Sequence, residues 1–444
     1  MMRKTFYWPR IIAVILGIFL LPQRSPAQLS AVEKKIATTV DKNNVAAMQL
    51  WEKVVNINSG TMNFEGVRQV GDVFAEKFAA LGFSTKWIDG KPFNRAGHLI
   101  AEHWGKNKKG KTILLIGHLD TVFEPSSPFQ KFEMLNDSTV RGPGAADMKG
   151  GNVVMLYALT ALKEQGLLKN MNIIVVLGGD EELSGEPLSL ARKDLIDAAV
   201  KADIAIGFED GDGRFETANI ARRSSSDWML RVQGTPAHSS QVFTDEVGAG
   251  AIYEASRILH EFYRTLSSEP NLTFNPGVIL GGTDVNYHDD ENGGRAFGKN
   301  NVVAKEVVVT GDIRTMSPQQ LEKAQSVMRD IASRNLPGTS AQLTFGEGYP
   351  PLAPTEGNYR ILSWFDRVSR DLGFGSVRAV NPRDAGAADI SFTAEHVEMA
   401  IDGLGLRSAG GHTIHETADP RTLPMQTKRV ALLLYRIGYN KTKD

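Results

Sequence analysis

Several residues of types that bind metals follow apolar, strand-like runs or lie in glycine-rich segments. His118 and Asp120 follow Leu114-Leu115-Ile116-Gly117, Asp147 lies between Gly142 and Gly151, and Glu181 and Glu182 follow the run that ends at Leu177. Because the carboxyl ends of parallel strands meet at one edge of a sheet, we expect these side chains to converge there. Imidazole and carboxylate ligands around two metals, beside one spare carboxylate, are typical of a hydrolase.

Two further candidates come later in the chain. Glu209 ends the apolar run Ile204–Phe208, and His412 lies in Gly410-Gly411-His412-Thr413. Alone, each of these acidic or histidine residues has a simpler interpretation as a buried structural histidine, a helix cap or a solvated loop. Their joint placement favours a metal site.

The spacing also suggests roles. Asp120 lies on the same side of an extended chain as His118 and can accept the second imidazole N–H; the alternative is a core histidine beside a capping aspartate. Asp147 can bridge two cations, or cap a helix that begins at Met148, or do both. Glu181 and Glu182 point in different directions, so that one can bind metal while the other accepts a proton from water.

Composition excludes several classes of protein. The chain has 444 residues, 50 basic and 51 acidic, without a Lys/Arg-rich tract, which argues against a nucleic-acid partner and for a small-molecule substrate. Cysteine is absent. Disulfides, a thiol nucleophile and thiolate ligands are therefore excluded, and the ligands must be His, Asp or Glu.

The N-terminus is typical of an export signal. Arg3, Lys4 and Arg10 precede the apolar run from Ile11 to Leu21, and Ser25-Pro26-Ala27 is a small-residue cleavage site. An uncleaved membrane anchor is the alternative, but the apolar run is shorter than the roughly 20 residues of a spanning helix. We predict a cleaved signal peptide over residues 1–27 and a secreted or periplasmic protein without a stable membrane span.

Strands and helices alternate in two patterns. The first predicts an α/β domain with a mostly parallel sheet, with strands at residues 98–104, 112–117, 172–177 and 203–208 and helices at 31–57, 67–81 and 148–162. From residue 222 the order becomes β-α-β-β-α-β, with strands at 226–234, 272–280, 302–313 and 342–345 and helices at 246–266 and 317–334. The proline-rich segment 349–354 returns to the first pattern, with a helix at 358–372, the Gly/Ala-rich segment 385–389 and a strand at 397–401. We predict a catalytic domain of residues 28–221 and 349–444, interrupted by a ferredoxin-like α+β unit of residues 222–348.

Taken in order, the motifs resemble those of the co-catalytic zinc exopeptidase family, which includes glutamate carboxypeptidases, aminoacylases and succinyl-diaminopimelate desuccinylases. The resemblance runs from about residue 45 to the C-terminus, and it rests on His118-x-Asp120, Gly-x-Gly-x-x-Asp147-x-Lys-Gly-Gly, Asp180-Glu181-Glu182, Glu209 and Gly-His412-Thr-x-x-Glu416.

The resemblance implies two zinc ions, with cobalt or manganese as possible substitutes. It implies that His118, Asp147 and Glu209 hold one ion and that Asp147, Glu182 and His412 hold the other. Glu181 would be the general base, and Asp120 would orient His118.

The inserted unit resembles the family's lid domain, through which members form homodimers. His238, in Gly234-Thr-Pro-Ala-His238-Ser-Ser, would then polarise the scissile carbonyl in the partner subunit, and Asn301 and Arg314 would bind the substrate's carboxylate. Without the resemblance, Arg314 is most simply a surface ion pair with Asp312, and His238 is a loop residue.

Two positions depart from the family pattern. Ala304 stands where members often have proline, and His415 stands where they often have aspartate. His415 therefore competes with His412 as the last ligand, although the Gly-Gly-His-Thr frame favours His412. The other histidines are interpreted as structural or surface residues: His98, His103, His260, His288 and His396.

Together these features predict an exported di-zinc exopeptidase that is carboxypeptidase-like, with glutamate carboxypeptidase as one example. A metal-bridging water, deprotonated with help from Glu181, would attack a peptide or amide bond next to a free carboxylate. The alternatives are an N-acyl amino acid deacylase and, in another class, a non-catalytic metal-dependent binding protein, against which the presence of Glu181 argues. The identity of the metal stays open, because Zn, Co and Mn all bind such ligands.

Overall fold

The computed structural model describes residues 29–106, 110–289 and 292–442. The predicted signal peptide, residues 1–27, lies outside these ranges. Among the helices within them, none combines the length and apolarity that a membrane crossing needs.

Helices and strands are numbered here in chain order. The α-helices are α1 (Ala31–Val55), α2 (Phe64–Leu81), α3 (Gly151–Glu164), α4 (Leu188–Ala191), α5 (Lys193–Ala199), α6 (Ala251–Leu266), α7 (Pro318–Ser333), α8 (Glu356–Asp371) and α9 (Thr422–Gly438). The strands are β1 (Ser84–Asp89), β2 (Gly97–His103), β3 (Thr112–His118), β4 (Glu133–Asn136), β5 (Thr139–Arg141), β6 (Asn172–Gly178), β7 (Ile204–Gly207), β8 (Thr217–Ala218), β9 (Ser225–Gly234), β10 (Thr273–Gly282), β11 (Asp284–His288), β12 (Gly293–Phe297), β13 (Glu306–Arg314), β14 (Thr339–Tyr349), β15 (Arg378–Ala379), β16 (Met399–Ile401), β17 (Ser408–Ala409) and β18 (Thr417–Ala418).

A six-stranded sheet in the order β1-β2-β6-β3-β7-β16 confirms the predicted mostly parallel α/β architecture. Strand β3 pairs in parallel with β6 and β7, and β7 pairs in parallel with β16, whereas β1 and β2 form antiparallel pairs. Every residue of β3 and β6 is buried. Successive residues of these strands, such as Leu114 and Leu115, enter different apolar clusters on the two faces of the sheet. Burial on both faces explains why these strands are continuous apolar runs.

The second sheet has four antiparallel strands in the order β10-β13-β9-β14. Its own apolar core joins Trp228 and Leu230 of β9 to Phe262 of α6 and Met328 of α7. The six elements occur in the predicted β-α-β-β-α-β order. The prediction lacked the hairpin of β11 and β12, and two predicted elements begin later in the structure: the helix at Ala251 and the strand at Glu306. The domain boundaries at residues 222 and 348 stay a prediction.

The chain crosses between the two sheets twice, and the two crossings pair with each other. Arg222 and Leu352 exchange two backbone hydrogen bonds of 2.9 Å each. Tyr349, the last residue of β14, lies at the second crossing.

The helix predicted to begin at Met148 begins at Gly151 instead. Residues 145–150 are irregular, with φ/ψ of −110°/96° at Asp147 and −129°/36° at Met148, so Asp147 does not cap the helix. Hydrogen bonds from this backbone to Glu416 explain the departure, because they direct the peptide groups towards a carboxylate and not into a helical turn.

Candidate metal centre

His118, at the carboxyl end of β3, is the most deeply buried of the predicted ligands. Its Nδ1 lies 3.1 Å from the backbone oxygen of Asp120 and 3.4 Å from the Asp120 carboxylate. Its Nε2 faces Asp147 Oδ1 at 3.0 Å and Glu209 Oε1 at 3.6 Å. Nδ1 therefore contacts Asp120, while Nε2 faces the carboxylates of Asp147 and Glu209. This orientation of the ring suits metal binding through Nε2.

Asp147 connects this group of residues to a second one. Its Oδ2 lies 3.0 Å from His412 Nε2, and the same imidazole nitrogen lies 3.2 Å from Glu182 Oε2. The groups His118–Asp147–Glu209 and Asp147–Glu182–His412 each keep their ligand atoms within 4.8 Å of one another. The two oxygens of Asp147 thus serve different groups, as a bridging carboxylate requires.

The electrostatics of the cluster fit bound cations. Burial and the charge of Asp147 raise the pKa of Glu209 well above its usual range and raise that of Glu182 to about 7. Hydrogen bonds to Asp147 and Glu182 raise the pKa of His412 to about 11. Crowded carboxylates and imidazoles of this kind form the donor set that Zn, Co and Mn accept, so the residues present fit a two-metal centre.

Glu181 lies beside the ligands without belonging to either group. Burial raises the pKa of its carboxyl well above the usual range; the positive charge of His118 opposes this shift, and Asp389 adds to it. A carboxyl with a raised pKa is suited to exchange protons near neutral pH.

Asp120 contacts more than His118. Its fully buried carboxylate accepts a hydrogen bond of 2.6 Å from the Thr61 hydroxyl and bonds of 3.1 Å from the backbone N–H groups of Glu181 and Glu182. One side chain therefore holds both the imidazole at the end of β3 and the acidic loop after β6.

Glu416 is a functional candidate to which the sequence analysis gave no role. It is 1% exposed, and its carboxylate accepts hydrogen bonds from the backbone N–H groups of Gly144, Ala146 and Asp147. Burial and Asp147 raise its pKa to about 8. Its fixed place four residues after His412 was the signal that could have identified it.

Among the predicted residues of the inserted unit, His238 and Asn301 lie in segments that are hydrogen-bonded to each other. The backbone N–H of Ser239, next to His238, donates to the Asn301 carbonyl, and the exposed His238 ring bonds the Ser240 hydroxyl. Arg314 pairs with Asp312 at 2.8 Å. In the described ranges, no hydrogen bond or ion pair joins His238, Asn301 or Arg314 to the five ligands. Their roles stay predictions.

The structure places His412, and not the exposed His415, in the second ligand group. His412 adopts a positive φ of 60°, which turns its ring towards Asp147.

Comparison with known proteins bears on the chemistry of this centre. The sequence profile described as Peptidase family M20/M25/M40 matches residues 114–436. Carboxypeptidase G2 from Pseudomonas sp. (strain RS-16) is 25% identical over 403 residues, which cover 89% of this chain and 90% of that protein. A succinyl-diaminopimelate desuccinylase from Nitrosospira multiformis is 24% identical over 366 residues, covering 78% of this chain and 86% of the relative. Aminopeptidase PepT from Bacillus cereus shares the fold, with a TM-score of 0.71 and 18% identity over 89% of this chain and 99% of that structure.

Proposed function

Because this chain belongs to peptidase family M20/M25/M40 and is a metal-dependent hydrolase, we propose that it is a di-zinc exopeptidase of carboxypeptidase type. The reaction would be hydrolysis of a peptide or amide bond next to a free carboxylate. The observation that carries this proposal is the pair of ligand groups that share Asp147, with Glu181 beside them. The similarity to carboxypeptidase G2 supports the carboxypeptidase type, and C-terminal glutamate is one candidate for the residue released.

His118, Asp147 and Glu209 would hold one zinc ion, and Asp147, Glu182 and His412 would hold the other. When bound, these ions would lower the pKa of a water molecule and polarise the carbonyl group of the substrate.

Glu181 would accept the proton of the attacking water and pass it to the leaving amine. Burial favours the protonated form of its carboxyl, so the proton is held at Glu181 after its transfer. Asp120 fixes the Glu181 backbone and the His118 ring at the same time. The Asp120 carboxylate thus orients both the proposed general base, Glu181, and the proposed metal ligand, His118.

In the inserted unit, Arg314 and Asn301 would bind the free carboxylate of the substrate. His238 would act across a homodimer formed through this unit, in the active site of the partner. The exposure of His238 supports this role, because its Nε2 makes no hydrogen bond or ion pair with the described residues.

Catalysis across a dimer has a direct test. A mixture of His238→Ala and Glu181→Ala chains, under conditions that exchange subunits, should regenerate one working site per mixed dimer. Confirmed mixed dimers without recovered activity would exclude catalysis across the interface.

The reaction is tested with metal-loaded protein and a panel of C-terminal glutamyl peptides, N-acetyl amino acids and dipeptides. We expect hydrolysis of substrates with a free C-terminal carboxylate, loss of activity after dialysis against a chelator and recovery with added zinc. Full activity in chelator, with metal content measured as nil, would contradict the proposal.

An N-acyl amino acid deacylase is the second candidate, and the similarity to succinyl-diaminopimelate desuccinylase favours it. The two candidates share the chemistry and differ in the acyl group that they accept, so the same panel distinguishes them. Preference for N-acetyl amino acids over peptides would select the deacylase. A non-catalytic binding protein would hydrolyse none of the panel.

We also propose export to the periplasm or the medium, since residues 1–27 have the pattern of a cleaved signal peptide. N-terminal sequencing of the exported protein should begin at Gln28. A protein that keeps Met1 or stays in the cytoplasm would contradict this.

A further inference from the structure

Tyr349, at the crossing between the two sheets, reaches the loop that carries Glu181. Its hydroxyl donates a hydrogen bond of 3.1 Å to the backbone carbonyl of Glu181. The same hydroxyl accepts a hydrogen bond from Arg192 and lies 3.1 Å from the Ser184 hydroxyl. Its ring packs edge-on against Phe392, with centroids 5.0 Å apart. Both the ring and the hydroxyl are therefore fixed.

Arg192 holds the same loop from inside the protein. Its side chain is 2% exposed, and it donates to the Asp180 carboxylate at 2.7 Å, to the Asp180 carbonyl at 3.0 Å and to the Asp389 carboxylate at 2.8 Å. The charge of this buried guanidinium is therefore balanced by two carboxylates, and its Nη2 also donates to the backbone carbonyl of Asp180, the residue that precedes Glu181.

Both the backbone N–H and the backbone carbonyl of Glu181 are therefore hydrogen-bonded to side chains. Asp120 accepts from the Glu181 N–H, and Tyr349 donates to the Glu181 carbonyl. Asp120 belongs to the six-stranded part of the molecule, whereas Tyr349 is the last residue of β14 in the four-stranded sheet. The backbone of Glu181 is thus tied to both parts of the molecule.

We propose that Tyr349 is a positioning residue that holds Glu181 in its working orientation and couples it to the four-stranded sheet. This inference rests on the proposed function, because the role of Glu181 as general base is proposed there. A small displacement of a catalytic group lowers turnover strongly, since the reaction needs closely aligned atoms. A change of angle at the crossing would shift the Tyr349 hydroxyl, and with it the carbonyl of Glu181.

The test is Tyr349→Phe, which removes the hydroxyl and keeps the ring that packs on Phe392. Of the three polar contacts that the hydroxyl makes, the bond to the Glu181 carbonyl is the one that positions the base, and the loss of a bond of this strength corresponds to a decrease in kcat of about tenfold. We expect KM to change by less than about twofold and metal content to stay at the wild-type level, because the hydroxyl bonds Glu181, Arg192 and Ser184, none of which is a candidate metal ligand. Tyr439→Phe is the matched control: it also loses a hydroxyl-to-carbonyl bond, 2.8 Å to Leu167, but far along the chain from Glu181. Its kcat should stay at the wild-type value.

A second measurement separates positioning from a general effect on the fold. In a Glu181→Gln background, Tyr349→Phe should lower the residual rate by less than about twofold, because Tyr349 acts through Glu181. A further tenfold loss there, an unchanged kcat in the single variant, or a Tyr349→Phe protein that is unfolded or depleted of metal would overturn the inference. Full activity of Glu181→Gln itself would instead refute the proposed function.

Discussion

The two halves of the candidate metal centre, the ligand group around His118 and the ligand group around His412, differ in how they are built. The His118 side chain is 1% exposed at the end of a central strand, whereas the His412 side chain is 60% exposed in the loop between β17 and β18. Glu209 and Glu182, the separate carboxylates of the two halves, both follow strands of the six-stranded sheet. His118 and Glu209 of one half thus both follow strands of this sheet, whereas the other half is completed by His412, from a loop in the C-terminal part of the chain.

Glu416 holds the loop that carries His412 against the backbone around Asp147. Its carboxylate binds the backbone around Asp147, so the residue that bridges the halves is held by the same segment that supplies His412. Gly410 has a φ of 73°, and a Cβ there would lie 2.6 Å from the His415 carbonyl oxygen. The loop therefore needs glycine at this position to turn His412 towards Asp147.

The largest effect is expected where both halves depend on one residue. Asp147→Ala should lose both metals and reduce hydrolysis to background, because each of its oxygens serves one ligand group. Metal analysis after gel filtration and a rate assay measure the two outcomes. Asp137→Ala, an exposed aspartate, is the control. Retention of two metals by the Asp147→Ala variant would contradict the bridging role of Asp147.

Removal of one imidazole should separate the halves. His412→Ala should retain one metal per chain and keep the wild-type melting temperature, because its side chain is largely exposed. His118→Ala should lose metal and also melt at a lower temperature, since it empties a buried position and removes one of the partners of the buried Asp120 carboxylate. Metal content and thermal melting distinguish the variants, and His415→Ala serves as the control. Equal losses of stability in His118→Ala and His412→Ala would contradict the comparison.

The pKa values predict how metal binding depends on pH. The pKa of His412 is raised to about 11, and Glu209 and its other carboxylate neighbours raise that of His118 well above its usual value despite burial, so both shifts favour the protonated imidazoles when no metal is bound. Metal binds the unprotonated form. Binding should therefore release protons, and the apparent affinity should fall about tenfold per unit decrease in pH for each proton released.

Calorimetry in buffers of different ionisation enthalpy counts these protons directly. Metal uptake at pH 7 without proton release would show that the imidazoles are neutral in the metal-free protein. His412→Ala should release at least one proton fewer than the wild type.

The smallest effect is expected for Glu416, whose hydrogen bonds within the described ranges go to backbone N–H groups and to no ligand side chain. Glu416→Gln keeps the size of the side chain but offers one acceptor oxygen in place of two, so part of the contact to Gly144, Ala146 and Asp147 is lost. Loss of such supporting contacts typically weakens metal binding about 10- to 100-fold. A competition titration with a chromophoric chelator measures this change, with the exposed Glu395→Gln as control. An unchanged affinity would show that the loop is held without Glu416.

The sequence predicted the strand-end residues because a fully buried parallel strand leaves a clear apolar run, and His118, Glu182 and Glu209 follow such runs. His412 follows no such run, and it could be assigned only through the resemblance to a known family. The hairpin of β11 and β12 was missed, since every residue of the two strands is exposed or half-buried and no apolar run marks them.

Contacts between distant residues could not be predicted from local patterns. Arg192 lies 157 residues from Tyr349 and 197 residues from Asp389, and nothing in the spacing indicates that these side chains meet. The late start of α3 has a similar cause, because Glu416, 269 residues beyond Asp147, determines the local backbone. Such residues become visible only when the fold brings the segments together.

The most direct test of the proposed chemistry compares two adjacent residues of identical type. Glu181→Gln should keep two metals per chain and lose at least about 10²- to 10⁴-fold in kcat, because it removes a proton acceptor and no ligand. Glu182→Gln should lose metal from the half that contains His412. Metal content and kcat of both variants, measured side by side, decide the assignment: metal loss in Glu181→Gln with metal retained in Glu182→Gln would reverse the two roles, and full activity of Glu181→Gln would contradict the mechanism.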